Sequence, residues 1–286
     1  MIHRRMFCSA ALVMAATLTS ALPSSGAVAP PDAQRAAATK LVLQVQRADY
    51  EGDRAALKRL HQELLPFIEN SDFGVKARYW RGFALWRRAI NGFNDGIGRP
   101  ELRADLQEAL AEFSAAARQQ PSFVDAKIGA IGCLSLIGYI LIENGGQMQD
   151  ADVQRVWADI RQLRKESEAL DPQNPRLLWV MGPNVWRSPP ERGGGEEKAL
   201  EMYETGLAAI RQRKPAAVDP LDPSWGEPEL LMNLAYLNLH GSKPDLDAAE
   251  RNAEAALKLV PYWHYVRDIL LPQIRDAAKA QKKLQN

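Results

Sequence analysis

"ALAEFSAAARQQP", residues 109–121, and "AERNAEAALKLVP", residues 249–261, decide how the rest of the chain is read. Ala109, Phe113, Ala116 and Pro121 stand at steps of four, three and five, and Ala249, Ala253, Ala256 and Pro261 repeat those steps. On a helix such positions share one face. Small residues at the first and third positions let a neighbouring helix approach closely, a large residue such as Phe113 fills the gap between helices, and the proline stops the helix where the next must begin. The copies lie 249 − 109 = 140 residues apart, and 140/4 gives a period of 35. Ala199, Tyr203 and Gly206 form a third, partial copy, and "SEALDPQNP" at 167–175 closes another unit in the same manner.

That spacing, within a residue of a period of about 34, resembles the tetratricopeptide (TPR) repeat family over most of residues 33–283, with individually degenerate units. The resemblance implies an all-α, TPR-like solenoid of about five helical hairpins plus a C-terminal capping helix. It also implies a non-catalytic scaffold that binds a protein or peptide partner in its concave groove. Helical periodicity predicts helices near 33–50, 53–69, 72–92, 101–119, 122–143, 150–170, 174–187, 194–212, 227–240, 246–259 and 262–283, with almost no period-two alternation. Turn signals separate them at Glu51-Gly52-Asp53, Asn94-Asp95-Gly96, Asn144-Gly145-Gly146 and Asp171-Pro172. "PAAVDPLDPSWGEP", residues 215–228, is too rich in proline for a helix and reads as an insertion between the fourth and fifth hairpins, carrying Trp225 outside any regular packing stripe.

Residues 1–29 read as an export signal, leaving 30–286 as the solenoid domain. His3, Arg4 and Arg5 form a basic head, Met6 to Leu22 is almost wholly apolar or small, and Ala27-Val28-Ala29 offers a small-x-small cleavage site. The apolar run falls short of the roughly 20 residues that a membrane anchor takes, so a periplasmic or secreted protein with no stable membrane span is expected. Arg4-Arg5-Met6-Phe7 also resembles a twin-arginine export motif, and the choice between export routes stays open. Removing the two leader arginines from 36 basic and 35 acidic residues leaves 34 against 35. A chain so near neutrality lacks the positive field of a nucleic-acid partner. With Cys8 gone, Cys133 is the single thiol, and no intramolecular disulfide is possible.

Gly193-Gly194-Gly195 invites comparison with a phosphate-binding loop. A Walker A loop needs a lysine followed by Ser or Thr, whereas Glu196 and Glu197 follow these glycines and Ala199 follows Lys198. Two carboxylates at a helix start suit its dipole and repel phosphate, so the glycines are expected to make only a turn. No catalytic, metal or cofactor site is expected: His61, His240 and His264 have no zinc-binding spacing, no G-x-S-x-G elbow occurs, and Ser135 and Cys133 fall in the apolar stretch "IGCLSLIGYIL".

Trp80 and Trp86, six apart, cannot share one face, so one is expected in the core and the other partly exposed; Trp157 is expected in the core. Trp179 and Trp186, seven apart, share a face of the first helix of the glycine-turn hairpin. They either pack on a neighbouring helix or floor a ligand groove. Asn184 and Arg187 beside them, with Trp225 from the insertion, complete the candidate binding site. Gly182, Pro189-Pro190, Gly194-Gly195, Lys198-Ala199 and Tyr203-Glu204 together resemble the TPR component that accompanies TRAP-type periplasmic solute transporters. This second resemblance implies an accessory that binds a small organic ligand alongside a solute-binding protein.

Overall fold

A computed structural model describes residues 31–212 and 219–285. The expected export signal and residues 213–218 of the insertion lie outside the described residues. The described residues form helices α1 (Pro31–Glu51), α2 (Arg54–Glu63), α3 (Gly74–Asn94), α4 (Arg99–Gln119), α5 (Val124–Glu143) and α6 (Ala151–Leu170). The second half contains α7 (Pro175–Arg187), α8 (Glu196–Gln212), α9 (Glu227–His240), α10 (Leu246–Leu259) and α11 (Leu271–Gln285). No strand occurs among the described residues. The expected helix at 53–69 stops early: α2 ends at Glu63 and a 3₁₀ turn covers Leu65–Phe67, because Pro66 cannot donate to the α-helical ladder. A π-helical turn, Tyr265–Leu270, leads into α11.

The chain is an all-α, TPR-like solenoid. Each odd helix from α1 to α9 packs against the even helix after it, α11 closes against α10, and successive odd helices from α1 to α9 touch along the inner side. Caps fix several starts: Asp53 accepts from the Ala56 amide, Asn174 from the Arg176 and Leu177 amides ahead of Pro175, and Asp245 from the Ala248 amide. The repeat residues serve close approach as the sequence suggests. Ala109, Ala116, Ala249, Ala253 and Ala256 are wholly buried. Phe113 enters between α3 and α5, where a methyl group on Gly129 would lie 2.5 Å from its ring. By length and composition α5 could cross a membrane, but 72% of its apolar window is buried inside the fold, so it serves as a core helix.

Two features differ from a regular open solenoid. First, the ends meet. Tyr50 near the end of α1 packs edge-on against Trp263 at 5.1 Å, Arg47 lies 4.8 Å over the Tyr262 ring, and the turn at Gly52 abuts His264. Second, residues 219–226 of the insertion cross the inner face. Trp80 donates its indole N–H to the Leu221 carbonyl at 2.8 Å, and Trp225 donates to the Tyr79 hydroxyl at 2.8 Å. Asp219 pairs with Arg35 at 2.5 Å and with Lys76, while Gln46 donates to Ser224. Arg176, paired with Asp125 at 2.5 Å, donates to the Trp225 carbonyl.

Three aromatic expectations are thereby corrected. Trp225 does not stand outside the packing; it is buried among Phe83, Trp86 and Trp179, at ring distances of 5.7, 5.8 and 5.4 Å. Trp80 and Trp86 are both fully buried, one beneath the insertion and the other against Gly132. A helix covered on several sides needs no single apolar face, which is why their six-residue spacing misleads. Trp157 is only partly buried at the edge of the core.

Candidate functional site

The glycine turn makes a turn and offers no phosphate cradle. Gly193 and Gly195 adopt φ of 76° and 103°, a region that glycine enters without strain. Their amides and that of Gly194 already donate to the carbonyls of Pro190, Val185 and Pro189. Glu196 reaches across to accept from the Ser242 amide at 2.7 Å, tying α8 to the turn before α10.

Two cavities open on the inner side, flanking a shared wall of Ile90, Trp179, Pro183, Arg187 and Asn233. The first, of about 250 Å³, is completed by Trp186 from α7, Asn91 and Asn94 from α3, Tyr203 from α8 and Tyr236 from α9. The second, of about 200 Å³, is completed by Ser135 and Tyr139 of α5 and by Asn184 of α7. Thus Trp179, Asn184, Trp186 and Arg187 gather on cavity walls, whereas Trp225 lines neither and supports Trp179 from behind.

Local structure explains the placement. Pro183 lies within α7 and lacks the amide that would bond the Trp179 carbonyl, so the helix is irregular at the cavity wall. Gly182 before it leaves room for Tyr203, whose ring a side chain at 182 would overlap. The Tyr203 hydroxyl pairs with Asn233, and burial raises its pKa far above the ordinary tyrosine value. Asn184 donates to the Ser135 hydroxyl at 3.0 Å, which ties α7 to α5 at the second cavity. At the mouth, Trp186 meets Tyr236 edge-on at 5.8 Å.

A buried ionic group underlies the first cavity. Arg87 pairs with Asp49 at 2.7 Å and lies 3.8 Å from Glu229, which accepts from the Tyr50 hydroxyl at 2.8 Å and from the Gly226 amide. Burial raises the pKa of Asp49 and of Glu229 despite the neighbouring arginine. Burial also works against the Arg87 charge, but the two carboxylates outweigh it and hold the guanidinium protonated. Its Cζ lies 5.5 Å from the Trp179 ring centre. Arg187 differs: it is exposed, rests its guanidinium 5.2 Å over Tyr139, and makes no ion pair among the described residues.

The cavities contain amides, hydroxyls, aromatic rings and guanidinium groups. Cys133 is buried, and desolvation raises its thiol well above the usual range, so the atom is unreactive. Among the described residues no group of three or more His, Cys, Asp or Glu could hold a metal ion. Sequence reasoning missed Arg87, Asn91, Asn233 and Tyr236. Their signal was polar residues three or four apart on one helix face, Arg87 with Asn91 and Asn233 with Tyr236.

No protein-family model matches this chain, and no curated protein matches it. Among solved structures it is similar to a thermophilic TPR protein from Thermus thermophilus, at 17% sequence identity and a TM-score of 0.46, over 85% of this chain and 97% of that one.

Proposed function

We propose that this chain is a non-catalytic, exported binding protein that takes a small organic ligand in the cavities beside Trp179 and Arg187. The observation that carries the reading is the filled inner face. Residues 219–226 cross the inner face, bonded to Trp80 and Tyr79, and two cavities of about 250 and 200 Å³ open beside Trp179. These volumes fall below the roughly 300–1,000 Å³ of sites for drug-sized molecules and suit something smaller. Tyr203 and Gly182, two residues of the resemblance to transporter-associated TPR proteins, meet at the first cavity. We therefore read the ligand-handling role as an accessory to a solute-binding protein.

The scaffold reading draws support from one further feature. Arg187 and Tyr236 are exposed at the mouth, where a single anchoring side chain of a protein or peptide partner fits. Co-purification from native cells, with mass spectrometry of both proteins and small molecules, separates the two readings. One enriched small molecule supports the ligand reading; a stoichiometric protein whose peptides compete for the cavity, with no small molecule, supports the scaffold. Export is checked on the same material by N-terminal sequencing, which should place the mature start between residues 22 and 33 in a soluble extracytoplasmic fraction. Recovery of residue 2 from a washed membrane pellet would restore the anchor.

A further inference from the structure

Resting on the small-ligand reading above, we propose that the ligand is a monocarboxylate built on one flat ring, its carboxylate held by Arg187 at the wall shared by the two cavities. Among the described residues no Asp or Glu lines either cavity, and the charged side chains that do are Arg87 and Arg187. Arg87 is already matched by Asp49 at 2.7 Å, with Glu229 behind it. Glu143, which accepts from the Tyr139 hydroxyl at 2.8 Å near Arg187, is engaged by Arg99 at 2.5 Å. Among the described residues Arg187 therefore has no carboxylate partner, and a ligand of charge −1 balances it. A dianion such as a phosphate monoester would need a second free cation, and a cationic ligand would meet repulsion.

The rest of the site specifies the remainder of the molecule. The guanidinium fork matches a carboxylate bidentately, and stacking on Tyr139 holds it in place. Asn94 and Asn233 bring amides that can donate to the second oxygen or to a ring substituent. Trp179, Trp186 and Tyr236 line the first cavity, with Trp186 and Tyr236 at an interplanar angle of 82°. Such a corner receives a flat ring in stacked and edge-on contact at once. Volumes of about 250 and 200 Å³ restrict the body to a single ring system on a short tether.

The test is isothermal titration of the full mature chain with 3-phenylpropionate, its neutral amide, 3-phenylpropylamine and octanoate. The acid should bind at least tenfold more tightly than the amide, the amine should not bind, and octanoate should bind at least tenfold more weakly than the aromatic acid. Arg187→Ala, a change at an exposed residue, should abolish the preference for acid over amide while amide affinity stays within about threefold; Arg187→Lys should restore part of it. Equal binding of acid and amide would overturn the charge assignment and leave the small-ligand reading standing. Equal binding of octanoate would overturn the ring assignment. If no probe binds at millimolar concentration, the proposal falls, and co-purification decides separately whether the cavity takes another small molecule.

Discussion

Trp225 is the strongest test of how residues 219–226 are seated. Its side chain is 4% exposed, packs against Phe83, Trp86 and Trp179, and lies beneath the Arg176 guanidinium at 5.8 Å. Emptying a buried aromatic site costs about 3–5 kcal/mol. The indole N–H also satisfies the fully buried Tyr79 hydroxyl at 2.8 Å, so the expected loss for Trp225→Ala lies toward the top of that range. In a chain of this size 1 kcal/mol moves the melting temperature by about 2–4 °C, so a loss of about 4–5 kcal/mol should lower the melting temperature of the alanine variant by about 8–20 °C. Trp225→Phe keeps most of the ring packing and loses the donor, which should cost about 1–3 kcal/mol. Urea unfolding followed by circular dichroism, alongside thermal melts, reads both. A Trp225→Ala protein within about 1 kcal/mol of the parent would show that the segment is not packed inside the solenoid, and the filled inner face would fall with it.

Ala116→Leu or Ala256→Leu should overpack a hairpin and cost about 1–3 kcal/mol, whereas Lys58→Ala on the exposed side of α2 should cost under about 0.5 kcal/mol; melts ranking them in reverse would refute the repeat register. Gly182→Ala should displace Tyr203 from Asn233 and weaken binding of any cavity ligand, measured by titration beside a melt. The buried Glu229 has its folded pKa raised, chiefly by desolvation, so its contribution to stability is present below the unfolded carboxylate value of about 4.3 and is lost as pH rises through the folded value. The stability of the parent relative to Glu229→Gln should therefore increase as pH falls from 7 toward 4, as read by urea midpoints. A difference independent of pH would contradict the assigned burial.

Helix positions and the hairpin plan were legible because they rest on local signals: small residues at seven-residue spacing, prolines after helix ends, and glycine, aspartate and asparagine turns between helices. That Trp179 and Trp186 share one face of α7 followed from their seven-residue spacing, whereas Arg187, one residue on, was placed only by its neighbourhood. The role of the insertion was not legible. Its contacts run from Trp225 to Tyr79 and from Leu221 to Trp80, more than a hundred residues away, and a proline-rich segment has no periodicity to mark an inward face. The meeting of the two ends was hidden for a similar reason, since Tyr50 lies more than two hundred residues from Tyr262 and Trp263 and no local pattern links them. Arg87 escaped notice because a charged residue in a helix is usually solvated, and only the partners Asp49 and Glu229, brought from α1 and α9, explain its burial.

On the reading proposed above, a solenoid crossed by its own insertion keeps an inner cavity for a small molecule. Native mass spectrometry of the protein purified from its own cells without denaturation tests this directly, with Asn94→Trp as a control. Asn94 is exposed at the mouth of the larger cavity, so a tryptophan there blocks entry without disturbing the core. The parent mass should carry one bound small molecule that is released on collisional activation and is absent from Asn94→Trp. A bare parent mass, or an adduct that persists unchanged in Asn94→Trp, would contradict it.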